Sequence, residues 1–285
     1  MSRSRPADAE GMPMKDLQPG ELAVGADRAG GVLVCDYVGR RTEAPISSLD
    51  LERLGFTVHY LLRPPYPREF TAAAYAEQLW CRHGPFGAGV RAVLAYCMAA
   101  PIAQELAALL RATTGSRVPL VLFDGEAATA RSVQEQYLLA AEKLGELLAL
   151  DRARRTTAPF EPADLRARPA HVLRSMSEGL RELGERAARD HLVDPETVHA
   201  ETEMFAAYHL DWLSHLIAAH NAGWSRWGGR AVQIASRQHR CDAEWPGART
   251  TETVRIAATR DDLLRHPEVA TVVRSILEKE TSRAN

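Results

Sequence analysis

The sequence lacks the marks of a membrane protein and of a secreted, disulfide-rich protein. Among its 285 residues, no apolar run approaches the ~18–20 uncharged residues that a membrane span needs. The N-terminal segment MSRSRPADAEG is polar and has no apolar stretch of the kind found in secretion signals. Only four cysteines occur, far apart and without a CxxC pair, so neither a disulfide framework nor a zinc site is indicated. We therefore expect a protein of the reducing cytoplasm with no membrane partner and no metal.

An excess of charge of one sign is missing as well, and so are nucleotide-binding motifs. Lys and Arg number 35 and Asp and Glu number 37, so the formal net charge is −2 and no positive field would draw the chain to nucleic acid. The glycine-rich segment 84–89 precedes a predicted strand and lacks the Lys-Ser/Thr pair of a P-loop. Since there is no dinucleotide fingerprint either, we expect no bound cofactor.

What is present is an alternation of short apolar runs with helical patterns, which predicts a parallel sheet covered by helices. We predict a sheet core over residues 31–126 and 226–285, a helical insertion over 127–225 and a loosely attached arm over 1–30. The predicted strands are Gly31–Tyr37, Phe56–Leu62, Arg91–Tyr96, Val118–Phe123, Arg230–Ser236 and Thr253–Ala258, and the predicted helices outside the insertion are Ser47–Leu54, Thr71–Cys81, Pro101–Ala112 and Pro267–Glu280.

The most informative segment is RAVLAYCMAAPIAQELAALL (Arg91–Leu110), in which an apolar strand runs directly into an Ala-rich helix at Cys97. The pattern Ala95-x-Cys97-x-Ala99 resembles a nucleophile elbow, where small residues flank a nucleophile raised on a sharp turn. The positive end of the helix would lower the pKa of this thiol, and the N–H of Met98 would serve as an oxyanion donor. The alternative is that Cys97 is a small core residue, since cysteine is among the residue types most often buried.

Five further segments resemble successive parts of one known family. They are VLVCDYVGRR, TAAAYAEQLWCRHGPFG, VPLVLFDGE, EMFAAYHLDWLSHLIAAHNAG and ETVRIAATRDDLLRHPEVATVV. Together with the segment around Cys97, they resemble the thioesterase branch of the α/β-hydrolases, which acts on carrier-protein thioesters in nonribosomal peptide and polyketide synthesis. The resemblance covers about residues 30–280. It implies an α/β-hydrolase fold with a mostly parallel central sheet and a helical lid insertion.

The resemblance also implies roles for individual residues. It places the second oxyanion donor at Tyr37 or Val38, and it makes Asp124 the acid of a catalytic triad. Two departures stand out, because Cys97 replaces the family's serine and Arg260 occupies the position of its histidine. The alternative interpretation of Asp124 is a capping residue at the end of a strand.

A narrower group, the aminoacyl shuttle enzymes of syringomycin and coronamic acid biosynthesis, resembles this chain in having a cysteine nucleophile. The group moves an aminoacyl group from one carrier-protein phosphopantetheine to another. The chemistry favours transfer independently, because a cysteine would form another thioester and both half-reactions would exchange one thiol for another. A serine would form an oxygen ester of lower energy. We therefore predict acyl transfer between phosphopantetheinyl thiols, with acyl or aminoacyl carrier proteins as partners.

The missing histidine leaves the general base open. A partly ionised thiol would need a base less than a serine does, and another histidine could also supply one. His239, in the loop after a predicted strand, is the candidate base, and Asp124 could orient it. His209, His215 and His220 in the predicted lid are alternatives, and a structural role is the competing interpretation for each of these histidines.

Two other functions stay open. One is a pseudo-hydrolase that binds a carrier protein or ligand without chemistry, suggested by Arg260 and by the two alanines in place of elbow glycines. The other is an editing thioesterase that hydrolyses misloaded carriers. Four arginines could meet the phosphate of phosphopantetheine or an acidic carrier helix, although scattered surface arginines are the commoner explanation. They are Arg40, Arg41, Arg63 and Arg82.

Overall fold

The computed structural model describes residues 31–39, 42–150, 158–190, 194–241 and 244–284. The predicted arm over residues 1–30 lies outside the described residues, and so do Arg40 and Arg41. Among the helices of these described ranges, none is long and apolar enough to cross a membrane.

The described residues form one sheet of six strands, and all of its neighbouring strands are parallel. The strands are β1 (Gly31–Cys35), β2 (Thr57–Tyr60), β3 (Val90–Tyr96), β4 (Leu120–Phe123), β5 (Arg230–Ala235) and β6 (Thr250–Arg255). Their order across the sheet is β2-β1-β3-β4-β5-β6. The inner strands are almost continuously apolar, as expected where helices cover both faces of a parallel sheet. The prediction of a parallel sheet is confirmed.

Helices pack on both faces of this sheet. The α-helices of the described residues are α1 (Ala72–His83), α2 (Ala100–Thr114), α3 (Ala130–Leu147), α4 (Asp164–Ala167), α5 (Pro169–Asp190), α6 (Pro195–His220) and α7 (Pro267–Ala284). α1 and α2 pack on the face that carries Leu33 and Val93, whereas α7 packs on the face that carries Val32 and Ala92. The alternation along β1 and β3 follows from the two-residue period of a strand.

Two predicted elements differ from the structure. The helix predicted over Ser47–Leu54 is a pair of short 3₁₀ turns, Ile46–Leu49 and Leu51–Leu54. Asp50 between them has a φ of 50°, in the left-handed region, which ends the first turn before a helix can propagate. The last strand spans Thr250–Arg255 instead of the predicted Thr253–Ala258, because the polar residues of this edge strand do not show the apolar pattern by which buried strands are recognised.

The helices α3 to α6 occupy the chain between β4 and β5 and share an apolar core of their own. Met98, just after the predicted nucleophile, packs against that core. Two hydroxyls tie α6 to the loop after β1: Tyr208 donates to the carbonyl oxygen of Gly39 over 3.0 Å, and Tyr37 donates to that of Asp211 over 3.2 Å. These contacts bring the helical insertion to the end of the sheet that carries Cys97.

Candidate active site

Residues that follow different strands meet at the carboxyl edge of the sheet. Because all strands are parallel, their carboxyl ends lie along one edge, where ligand sites of open α/β sheets are found. Tyr37 follows β1, Cys97 follows β3 and Asp124 follows β4, while Ser236 follows β5 and Arg260 lies in the loop after β6. The geometry at this edge decides which of these residues can act together.

Cys97 occupies a strained turn between β3 and α2. Its φ is 52°, in the left-handed region, whereas Tyr96 before it is extended, with φ −106° and ψ 132°. This conformation costs a residue with a side chain roughly 1–2 kcal/mol, and such strain is concentrated at functional sites. Ala95 and Ala99 are buried beside the turn, and α2 begins at Ala100. The backbone therefore has the strand-turn-helix geometry of a nucleophile elbow.

The sulphur of Cys97 lies between a guanidinium and a carboxylate. Nη2 of Arg260 donates to Sγ over 2.6 Å, and the thiol donates to Oε1 of Glu126 over 3.2 Å. The same Nη2 donates to the same Oε1 over 3.2 Å. The backbone N–H of Met98 is a further donor to the sulphur. Arg260, which the sequence prediction places at the family's histidine position, thus contacts the predicted nucleophile directly.

A second carboxylate and a phenol hold Arg260 in this position. Nε of Arg260 lies 3.6 Å from Oε1 of Glu43 and donates to the hydroxyl of Tyr96 over 3.4 Å. The guanidinium carbon also lies 5.7 Å from the centroid of the Tyr96 ring, within cation–π range. Burial works against the charge of Arg260, but the Cys97 sulphur, Tyr96 and Glu126 outweigh it and raise its pKa. Arg260 is therefore a fixed positive charge.

The pKa of the Cys97 thiol moves in the direction opposite to the sequence-based expectation. The pKa of this thiol is raised to about 12; burial is the largest cause, and the negative charge and hydrogen bond of Glu126 raise it as well. Arg260 and the N–H of Met98 lower the pKa but do not outweigh burial. Moving a thiolate out of water costs more free energy than Arg260 and the Met98 N–H at the helix start contribute to its stabilisation. The expectation of a partly ionised thiol is therefore wrong, and the thiol is protonated at neutral pH.

Asp124 is buried at the end of β4, and both of its carboxylate oxygens accept hydrogen bonds from Ser236. Oδ1 accepts from the backbone N–H and Oδ2 from the hydroxyl, each over 2.8 Å. Nδ1 of His239 lies 4.0 Å from Oδ1, which is ion-pair range for a protonated imidazole and too long for a hydrogen bond. The structure therefore brings Asp124 and His239 together, and it also gives Asp124 a structural role between β4 and β5.

The ring of His239 faces groups other than the Cys97 sulphur. Its side chain is largely buried, and Nε2 lies 3.3 Å from the carbonyl oxygen of Gly125. A contact to a carbonyl oxygen requires that this nitrogen carry the proton. With Nδ1 directed at Asp124 and Nε2 at Gly125, the ring is in the neighbourhood of the site without bonding the thiol. Its role as a base stays a prediction.

The histidines of α6 have other surroundings. Nδ1 of His220 lies 3.1 Å from the carbonyl oxygen of Ala128, and the His209 ring lies 4.3 Å from that of Phe205 between centroids. His215 is fully buried, and neither of its ring nitrogens has a hydrogen-bond partner. Burial alone lowers the pKa of His215 to about 3, so this ring is neutral, and it packs against the rings of Tyr37 and Tyr75 outside the insertion.

Val38 and Tyr37, the two candidates for the second oxyanion donor, have different surroundings. The N–H of Val38 donates to the carbonyl oxygen of Asp36 over 3.1 Å, and the Val38 side chain is exposed. The ring of Tyr37 is buried and stacks on Tyr66 with 4.5 Å between centroids. Val38 would therefore have to exchange an existing bond to serve as a donor, and the choice between the two stays open.

Glu126 and Glu43 are absent from the sequence predictions, although both contact the cluster around Cys97. Glu126 has a signal in the sequence, because it follows β4 by three residues in the segment FDGE and so belongs to the same sheet edge as Asp124. Glu43 comes from the loop after β1 and has no comparable signal. Of the described arginines predicted to meet a carrier, Arg63 lies 5.4 Å from the ring centroid of Tyr60, and Arg82 donates to the carbonyl oxygen of Pro65.

Comparison with known proteins gives structural neighbours only. No protein-family model matches the sequence, and no curated protein matches it. RedJ, solved with a polyethylene glycol molecule in its active site, is 16% identical with a TM-score of 0.50 and covers 94% of this chain and 98% of its own. The NocB thioesterase domain, solved as a covalent complex with a fluorophosphonate nocardicin G analogue, is 19% identical with a TM-score of 0.41 and covers 88% and 96%. The enol-lactonase of Burkholderia xenovorans LB400 is 13% identical with a TM-score of 0.46 and covers 88% and 92%.

The similarity to RedJ over nearly the whole of both chains agrees with the strand order and the elbow turn described above. The chain therefore has the α/β-hydrolase fold, and that prediction is confirmed. At 16% identity the similarity to RedJ supports the fold alone, and the chemistry has to be argued from the site itself.

Proposed function

We propose that the protein is a thioesterase-like acyl transferase that moves an acyl or aminoacyl group between the phosphopantetheinyl thiols of carrier proteins. The single observation that carries this proposal is Cys97 in a strained strand-to-helix turn, with Arg260 and the Met98 N–H directed at its sulphur. Packing alone explains neither the left-handed backbone of this half-buried cysteine nor the guanidinium that contacts its sulphur. The arrangement is that of a nucleophile whose charge is stabilised when it forms.

Transfer consists of two matched steps. In the first, the Cys97 sulphur attacks the carbonyl carbon of the loaded carrier, the carbon–sulphur bond to phosphopantetheine breaks, and the carrier leaves as a thiol. In the second, the thiol of another carrier attacks the acyl-Cys97 thioester and Cys97 leaves with the proton. Each step makes one thioester and breaks one, so the acyl group keeps its activation throughout. Arg260 would stabilise sulphur whenever it carries negative charge.

Other residues would stabilise the tetrahedral intermediates. The N–H of Met98, at the start of the helix, would donate to the oxyanion, and the backbone of Tyr37 or Val38 would provide the second donor. Asp124 would hold the loop after β5 against the end of β4 through its two hydrogen bonds from Ser236. The same loop carries His239, whose Nδ1 lies 4.0 Å from Oδ1 of Asp124. No bound cofactor is part of this proposal.

The test is incubation with a phosphopantetheinyl carrier protein loaded with an aminoacyl group, followed by intact-mass measurement. We expect an adduct of the mass of the acyl group on the wild type and on Cys81→Ala, which removes an exposed thiol elsewhere. Cys97→Ala should form no adduct. An equal adduct on Cys97→Ala would overturn the proposal, because the acyl group would then be carried by another residue.

One observation favours a second function, that of a binding module without chemistry. The thiol of Cys97 has a pKa raised to about 12, and Arg260 and Glu126 already occupy hydrogen-bonding positions around it. If a loaded carrier binds, for example in a pull-down, while neither adduct nor transfer appears over hours, this second function is supported. Release of free acid faster than transfer to a second carrier would instead identify an editing thioesterase.

A further inference from the structure

The proposed reaction needs a proton acceptor that the triad pattern does not supply. The Cys97 thiol is protonated at neutral pH, so its proton must leave as the sulphur attacks. The family position of the base is occupied by Arg260, and a guanidinium cannot accept a proton. The ring nitrogens of His239 face Asp124 and Gly125. A different group has to take the proton.

We propose that Glu126 is the general base of Cys97, and that Arg260 fixes the carboxylate against the sulphur. The inference rests on the proposed function, because it assigns the proton of that same acyl transfer. Oε1 of Glu126 accepts the thiol hydrogen bond over 3.2 Å, which is within reach of a general base. The same oxygen accepts from Nη2 of Arg260 over 3.2 Å. One guanidinium group thus bridges the nucleophile and its base.

The proton balance of the two half-reactions is symmetrical. As the sulphur–carbon bond forms, the proton passes from Sγ to Oε1 of Glu126, and the tetrahedral intermediate carries its negative charge on oxygen. When the bond to phosphopantetheine breaks, the departing sulphur takes the proton back from Glu126 and leaves as a neutral thiol. The second half-reaction runs the same steps with the accepting carrier thiol as the proton donor. Glu126 is unchanged after each half-reaction, and no other reactant is consumed.

Among the described residues, the charged and polar side chains around Cys97 and Glu126 come from separate elements. Arg260 from the loop after β6 supplies the cation, Glu43 from the loop after β1 pairs with its Nε, and Tyr96 at the end of β3 donates to Glu43 over 3.4 Å. The backbone N–H of Glu126 donates to the carbonyl oxygen of Cys97 over 3.3 Å, which joins the two residues through their main chains as well. The carboxylate therefore stays beside the sulphur while the proton moves.

The test compares Glu126→Gln and Glu126→Asp with the wild type in single-turnover acylation of Cys97 by an aminoacyl N-acetylcysteamine thioester, a small mimic of loaded phosphopantetheine. Glutamine keeps the size of the side chain and removes the base. We expect a ~10²–10⁴-fold lower acylation rate constant with little change in half-saturation, and partial recovery in Glu126→Asp. Equal unfolding midpoints would show that the variants are folded.

The pH profile separates a base from a packing residue. With its base present, the wild type should show a rate that depends on pH less steeply than the rate of Glu126→Gln, which should rise about tenfold per pH unit as the thiol ionises unaided. A wild-type rate that rises as an imidazole loses its proton, together with a larger loss in His239→Ala than in Glu126→Gln, would overturn the inference in favour of His239.

The failure of this inference can be told apart from failure of the proposed function. If the wild type forms the Cys97 adduct and Glu126→Gln forms it as fast with the same pH profile, the assignment of Glu126 is wrong and the transferase stands. If the wild type forms no adduct with either the carrier or the small thioester, both are wrong.

Discussion

The guanidinium of Arg260, in the loop after β6, lies 2.6 Å from the sulphur of Cys97. The sequence prediction places Arg260 where the resembled family has a histidine. A histidine would take the proton of the nucleophile, whereas an arginine can only stabilise the negative charge that results. The same arginine contacts Glu126, so charge stabilisation and proton transfer are divided between two residues. This division is compatible with thiol exchange, in which both the nucleophile and the leaving group are sulphur.

Alkylation of Cys97 by iodoacetamide should be slow at neutral pH and should accelerate about tenfold per pH unit without a plateau below about pH 10, because only the thiolate reacts and burial raises the thiol pKa to about 12. Arg260→Gln should slow it further by removing the cation. Peptide mass spectrometry resolves Cys97 from the exposed Cys81, which serves as the internal reference.

A plateau near neutral pH would contradict the electrostatics described for Cys97, in which burial holds the pKa of the thiol far above its usual value.

The strain at Cys97 predicts a stability difference between two variants that both lack the thiol. With a φ of 52°, Cys97→Ala keeps the penalty of a Cβ in the left-handed region, and Cys97→Gly removes it. We expect Cys97→Gly to be about 1 kcal/mol more stable than Cys97→Ala in urea unfolding, although glycine normally destabilises a structured position. If the alanine variant is the more stable one, the turn is not strained.

Asp124 should contribute to stability through Ser236. Asp124→Asn replaces one acceptor oxygen by a donor group in a buried position, where an unsatisfied polar group costs about 1–3 kcal/mol. Ser236→Ala removes the hydroxyl bond and keeps the backbone bond, so it should cost less, about 0.5–1.5 kcal/mol. A double-mutant cycle in chemical denaturation measures the coupling of the two residues. Additive effects of the two substitutions would contradict the bond between them.

His215 should make the folded protein less stable in acid. Its pKa falls from the ordinary 6.5 to about 3, so between these values the unfolded chain binds a proton that the folded chain excludes. Stability should therefore fall as pH decreases from about 6.5, by up to about 1.4 kcal/mol per pH unit from this residue. His215→Phe should flatten this slope, and the exposed His199→Gln should leave it unchanged. The measurement is the free energy of unfolding at pH 7, 6 and 5, and equal slopes in all three proteins would contradict the assignment.

Much of the fold could be predicted because buried parallel strands are continuous apolar runs. GVLVC, VRAVLAY and LVLF all become strands of the sheet interior. The edge strand TTETVR has no such pattern, since one of its sides pairs with nothing in the described sheet, and its start was predicted three residues late. The left-handed turn at Asp50 has no counterpart in the apolar pattern, because a single residue can reverse a helical turn without changing which positions are buried.

The sequence predicts only those residues of the candidate site that come directly after a strand. Cys97 and Asp124 come directly after β3 and β4, so the topology alone brings them to one edge. The contact of Arg260 with the sulphur depends on the path of the loop after β6, and the pKa of Cys97 depends on burial by residues distant in sequence. Glu43 belongs to the loop after β1 and contacts the site through its ion pair with Arg260. No local sequence pattern predicts this contact, because the two residues are distant in the chain.

The measurement that tests the central claim most directly is the fate of the isolated acyl-enzyme. Wild-type protein is acylated with a radiolabelled aminoacyl carrier, freed of that carrier, and mixed either with buffer or with an unloaded second carrier. The account predicts that label leaves Cys97 for the thiol of the second carrier much faster than it appears as free acid in buffer. Cys97→Ser is the matched control, because its oxygen ester should not return the acyl group to a thiol. Release of free acid at the same rate with and without the second carrier, or no isolable acyl-enzyme at all, would contradict the account.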